Sequence, residues 1–229
     1  MSTPSATPRP FDHPIFSESV RRIRAWLEPT GIYQGLGPLE QELLERLVHS
    51  SGDLEVAPLV AWSSQACALG AAALAQGAVI LTDTAMAAAA VAPMARRTFA
   101  NPVHTLLEWA PPTVPEGAPA SETRSALGMV AALKALGGQA QAARPLVVLI
   151  GSAPTALETL LDMVAAGSCP APALVIGMPV GFVGVAESKR HLAESGLVHL
   201  RLEGPKGGAG LVAAACNALL RHGYLAAFP

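Results

Sequence analysis

Residues 174–189 read L-V-I-G-M-P-V-G-F-V-G-V-A-E-S-K. An apolar run ends at Ile176. A loop punctuated by Gly177, Pro179, Gly181 and Gly184 follows, and Ala186-Glu187-Ser188-Lys189 opens a helical pattern. Strand, loop, helix is the order in which an open α/β sheet seats a ligand, outside the carboxyl end of a strand. Gly177, Gly181 and Gly184 expose backbone N–H groups there and let a ligand come close.

The same order recurs on both sides. Apolar runs at 78–81, 103–108, 146–150 and 198–202 read as strands. Each is separated from the next by a helical pattern, beginning with the alanine-rich stretch after Met86. Ser121 is placed to cap a helix ending near Leu136. Ser152, with Pro154 in the first turn, is placed to cap another that stops at Gly167. A last helix is expected to end near Leu220. Upstream, amphipathic helices are expected over 15–27 and from Pro38 to about His49, and an alanine-rich helix over 64–76. Alternating strands and helices imply a parallel sheet covered on both faces. The expectation is therefore one α/β domain over 13–229, with a five-stranded, mostly parallel sheet preceded by N-terminal helices. Right-handed crossovers then bring the loops at 82–84, 109–121, 151–155, 177–184 and 203–208 to one edge. Residues 1–12 are rich in Ser, Thr and Pro and read as a disordered tail without a secretory signal.

The chain has 229 residues, 51% hydrophobic and only 14% charged, against about 25% charged in an ordinary soluble domain. That shortage points to surface hidden from water, most simply between subunits. A net charge of −2 gives no global field for nucleic acid. The mean hydropathy is +0.40, yet the apolar runs are short and Pro93 interrupts the longest, so no membrane span is expected. Cys67, Cys169 and Cys216 have no metal spacing and no even pairing, which fits reduced thiols in a cytoplasmic protein.

No G-x-G-x-x-G follows a strand and no P-loop is present, so nucleotide cradles are missing. Nor is there a G-x-S-x-G elbow, an H-E-x-x-H or a C-x-x-C. Shape and one proton donor suit such a chain better than hydrolysis.

Five segments together are similar to one family: L-V-H-S-S-G-D-L-E-V-A-P (47–58), T-R-S-A-L (123–127), I-G-S-A-P-T-A-L (150–157), G-M-P-V-G-F-V-G-V-A-E-S-K (177–189) and G-P-K-G-G-A-G-L-V-A-A-A-C-N-A-L (204–219). Over about residues 12 to 222 the chain resembles precorrin-8X methylmutase, also called cobalt-precorrin-8 methylmutase. The resemblance implies a cobalamin-pathway isomerase that moves a methyl group from C-11 to C-12 of a corrin precursor. The product is hydrogenobyrinic acid, or cobyrinic acid when the substrate carries cobalt. It also implies a homodimer, no cofactor, no bound metal, and hand-over of the tetrapyrrole to neighbouring pathway enzymes. The alternative is a corrinoid-binding or carrier paralogue without turnover.

His49 matches the histidine that the family uses as proton donor. Independently, histidine titrates near neutrality, and a helix end beside Gly52 favours its charged form. From the residues alone, a C-terminal capping histidine is the commoner reading. Thr123, Arg124 and Ser125 match a family segment, and an arginine in a first helical turn suits a carboxylate. Ser152, Thr155, Gly177, Pro179, Val180, Gly181 and Phe182 are expected to line the macrocycle, and Lys206 with Gly207 to hold a carboxylate. Asp83 reads as a loop cap or a ligand contact, Glu187 and Lys189 as contacts or as a polar helix face. The family usually has asparagine at Ser152 and arginine at Lys206, with glutamate and glycine at Ala85 and Ala90. Lysine keeps the charge without the bidentate fork, and serine is shorter than asparagine.

Overall fold

The protein is described from a computed structural model over residues 11–119, 122–137 and 144–228. Six strands form one mixed sheet: β1 (Val60–Trp62), β2 (Val79–Thr82), β3 (Val103–Thr105), β4 (Leu146–Ile150), β5 (Leu174–Gly177) and β6 (His199–Leu202). Their order is β1-β6-β5-β4-β2-β3. All neighbours are parallel except β1, which runs antiparallel to β6 with Ala61 opposite Arg201. The expected sheet of five strands is thus corrected to six. Three residues between a 3-10 turn and a helix are too short to show an alternating pattern.

Among the described residues eight α-helices accompany the sheet: α1 (Pro14–Leu27), α2 (Pro38–Ser51), α3 (Ala66–Ala75), α4 (Ala85–Arg97), α5 (Arg124–Leu136), α6 (Pro154–Ala165), α7 (Val185–Glu194) and α8 (Ala209–Ala227). Successive strand residues point to opposite faces. Leu149, Ile176 and Ile80 enter one apolar layer with Leu74 of α3 and Leu219 of α8. Val148, Ile150, Val175 and Leu81 enter the other, with Leu157 and Leu160 of α6 and Leu192 of α7. Ile23 and Leu27 of α1 pack on Val48 of α2 in a smaller cluster.

Three boundaries differ from expectation. The strand at 103 ends at Thr105, because Thr105 and Glu108 form a capping box that turns 106–108 into 3-10 helix. Thr123 caps α5, its hydroxyl accepting from Ala126 N at 3.1 Å; Ser121 lies outside the described residues. α8 continues to Ala227 rather than stopping near Leu220. Its last turns are held from outside. Arg221 Nε donates to Asp12 Oδ1 at 3.0 Å, and the Tyr224 ring meets Phe11, Phe99 and Phe228 at centroid distances of 5.7, 5.8 and 4.9 Å. Phe11 and Asp12, at the end of the expected tail, therefore pack against α8; residues 1–10 lie outside the described residues. Among the described residues no helix is long and apolar enough to cross a membrane.

Candidate functional site

The carboxyl ends of β2 to β6 open on one rim, as strand order and direction require. The rim is built around Asp83, at the end of β2 and 1% exposed. Its Oδ2 accepts from Ser152 N at 2.6 Å and Ala153 N at 2.9 Å, while Oδ1 is buried without a partner. Burial raises this carboxyl's pKa, and the N–H bonds oppose that rise. Asp83 thus holds the turn that leads into α6 from the neighbouring strand. Ser152 does not cap that helix: Ala153 is at the cap position and makes no side-chain bond there, and the exposed Ser152 hydroxyl remains on the rim.

Two helix starts meet beside it. Thr123 Oγ1 lies 2.7 Å from Thr155 Oγ1, joining α5 to α6. Arg124 is exposed on the first turn of α5, with Nε donating to Pro111 O at 2.8 Å, and Ser125 follows half-buried. Of these residues, Thr123 and Thr155 are brought into direct contact, while Arg124 is turned to the Pro111 carbonyl.

The loop after β5 is tied down along its base. Val180 N donates to Gly151 O at 3.2 Å, Gly181 N to Pro205 O at 3.1 Å, and Gly208 N to Met178 O at 2.9 Å. Gly177, Met178 and Pro179 are buried, whereas Phe182 and Val183 are 94% and 87% exposed. Gly184, at φ 69°, takes the left-handed turn that starts α7. Gly207 lies so close to the Met178 and Pro179 carbonyls that a Cβ would collide with them.

Lys189 is only 1% exposed, behind the loop. Its Nζ donates to Gly204 O at 2.7 Å and Lys206 O at 2.6 Å. Glu187 is exposed on the first turn of α7. Lys206 pairs with Asp53 Oδ2 at 2.5 Å and Glu55 Oε2 at 3.2 Å, so its charge is already opposed. That pairing raises the lysine and lowers Asp53.

His49 stands on the last turn of α2, which Gly52 closes. Its Nδ1 lies 2.8 Å from Ser19 Oγ, and the Phe16 ring meets it edge-on at 5.0 Å. It lines a cavity of about 470 Å³ with Arg46, Ala90, Arg97, Gly210 and Asn217. None of residues 177–184 lines this cavity; of the segment that follows β6, Gly210 on the first turn of α8 reaches it. Lys206 reaches Asp53 just past His49, and Gly207 lies under the β5 loop. Partial burial, then Arg46, push His49 below the ordinary histidine range. The expected lift from the helix end is therefore outweighed.

Sequence reasoning missed three cavity residues. Arg46 precedes His49 by one helical turn, so i, i+3 spacing on α2 is a signal that leads to it. Arg97 and Asn217 arrive from α4 and α8 through tertiary packing, with no local signal.

A family model described as CbiC: Precorrin-8X methylmutase matches residues 14–222. The chain is 41% identical over 208 residues to "Precorrin-8X methylmutase" of Pseudomonas aeruginosa, covering 90% of this chain and 93% of that protein. It is 34% identical over 225 residues to "Cobalt-precorrin-8 methylmutase" of Synechocystis sp., covering 92% and 96%. The crystal structure of precorrin-8x methyl mutase from Thermus thermophilus superposes with a TM-score of 0.77 at 34% identity, covering 93% of this chain and 96% of that one.

Proposed function

This chain belongs to the precorrin-8X methylmutase family, and we propose that it performs its methyl shift by protonating the corrin precursor from His49. The protein is a methylmutase of cobalamin biosynthesis, an isomerase that moves a methyl group within one molecule. The finer reading, C-11 to C-12 of precorrin-8X or its cobalt form, needs a flat polyacid to be gripped in one orientation and one proton to be delivered. Such fixed geometry alone lowers barriers substantially.

One observation carries the reading. His49 faces a cavity of about 470 Å³ that Gly210, on the first turn of α8, also lines, and Ser19 occupies Nδ1. Nε2 is then the nitrogen that hands its proton to the ring. A protonated ring draws electrons from the bond between methyl and carbon; the methyl shifts, and the proton returns to the imidazole. Thr123, Arg124, Ser125, Ser152, Thr155, Val180, Gly181 and Phe182 line the macrocycle, and the buried Gly177 and Pro179, expected as lining, support that loop from within instead. Gly207, Asp83 and Lys189 hold that lining from behind, and Lys206 and Glu187 flank it. The low charge and the bare Phe182 and Val183 support a homodimer, in keeping with a cytoplasmic pathway enzyme.

Purified protein given precorrin-8X or cobalt-precorrin-8 should develop the product's absorption spectrum. His49→Ala should abolish turnover and keep product binding. Because His49 titrates below its ordinary range in the free protein, kcat/KM should fall with rising pH through an apparent pKa under 6.5. No conversion of either substrate overturns the enzyme reading; full activity in His49→Ala overturns the role of His49.

A further inference from the structure

His13 stands at the start of α1 and lines the same cavity that His49 lines from the end of α2. It caps its own helix, Nδ1 accepting from Ile15 N at 3.2 Å. A backbone N–H can only donate, so Nδ1 carries no proton and the neutral ring keeps its proton on Nε2. Among the described residues Nε2 has no partner. The chain on either side is fixed. His13 O accepts from Phe16 N at 2.9 Å and Ser17 N at 3.2 Å. Arg221 grips Asp12, while Arg97 stacks on the Phe11 ring at 3.9 Å and donates Nη2 to the Phe11 carbonyl. His13, Phe16 and Ser19 follow one another at three-residue spacing, a single stripe along α1. Phe16 and Ser19 of that stripe touch His49. Of the described residues lining the cavity only Asp12 carries a carboxylate, and Arg221 engages it. The cavity therefore offers donors and asks for an acid.

We propose that His13 is a second imidazole of this site, a positioning residue whose Nε2–H donates to one carboxylate arm of the ligand and so sets the ring against His49. The proposal rests on the corrinoid reading above and adds to it a residue outside the family-like segments, which begin at Leu47. The two imidazoles differ in what holds Nδ1. Ser19 Oγ, beside His49, can donate or accept, so that ring is free to lose and regain a proton. Ile15 N–H, beside His13, only donates, so that ring holds one tautomer and serves as a fixed donor. One histidine gives its proton away and the other keeps it. A neutral donor bonded to a carboxylate is a charge-assisted hydrogen bond, stronger than one between two neutral groups. It is also directional, because the cap and the anchored Phe11 and Asp12 prevent the ring from swinging with the arm it holds.

The test is calorimetric titration of hydrogenobyrinic acid and of its fully esterified form into wild type and His13→Asn. Long-range proton–nitrogen NMR of the same samples follows the histidine rings. Asparagine is a strong N-cap residue, so it keeps the cap of α1 and removes the imidazole donor. His13→Asn should therefore match wild type in urea unfolding. It should bind the acid at least tenfold more weakly, about 1.4 kcal/mol, and the ester should not distinguish the two proteins. In turnover the loss should fall mainly on KM. In wild type the His13 Nε2 resonance should move when the acid binds and hold still with the ester. Should His13→Asn lose stability, His13→Ser, which also caps, takes its place with the same expectations. Equal affinity of the variant and wild type for the acid, or equal losses with acid and ester, overturns the role of His13 alone. No binding by wild type overturns the corrinoid reading and this role with it.

Discussion

At the scale of the residue, Lys189 shows how this rim is held. An ammonium removed from water bonds two carbonyls, those of Gly204 and Lys206. Desolvation pushes its pKa down to about 8, from 10.5. A lysine lowered on folding binds more protons unfolded than folded between those values, so stability should climb as pH rises from about 8 towards 10.5. Lys189→Met should lose this climb in urea unfolding at pH values on either side of that window. It should also be less stable near neutrality by about 1–3 kcal/mol, because two part-buried carbonyls lose their donor. A flat pH response in wild type would show that the ammonium is better solvated than its burial implies. Asp83 follows the same logic with opposite charge: a buried carboxylate is tolerated because it holds the turn that leads into a helix.

Elements explain what was legible in advance. Five strands, the one-sided placement of their loops and the bounds of α7 follow from runs such as Leu146–Ile150 and from glycines at loop positions. β1 was not legible, since three residues beside a 3-10 turn carry no period. The length of α8 was not legible either, because partners distant in sequence, Asp12 and Phe99, hold its end past Gly223. Within the site, the family-like segments led to His49, Arg124 and the β5 loop. The engagement of Lys206 by Asp53 and of Ser152 N by Asp83 depends on pairs that only the folded chain brings together. The contact between the two glycine-rich turns gives a sharp test at this scale. Gly207→Ala drives a Cβ into the Met178 and Pro179 carbonyls, backbone atoms that cannot swing aside. The variant should lose about 1–3 kcal/mol in urea unfolding, as overpacked sites do, and most of its turnover. Wild-type activity in Gly207→Ala would mean that these turns separate easily.

For the molecule as a whole, low charge goes together with bare apolar side chains. Phe182 and Val183 are almost wholly exposed on one rim, and Val180 is about half so. A patch of this kind is usual where two chains meet. Sedimentation equilibrium should return twice the 23.4 kDa of one chain. Phe182→Ser should shift the population towards single chains at low concentration. A wild type that sediments as one chain at all concentrations would remove subunit contact as the reason for the missing charge.

The backbone bonds from Gly181 to Pro205 and from Gly208 to Met178, with the lysine beneath them, rivet one corner of the opening shut. In a deuterium pulse, amides on both sides of that rivet should lag together and release together, as a single latch. Under the proposed function, a broad flat guest would enter past α2 and α4, on the side that carries His49.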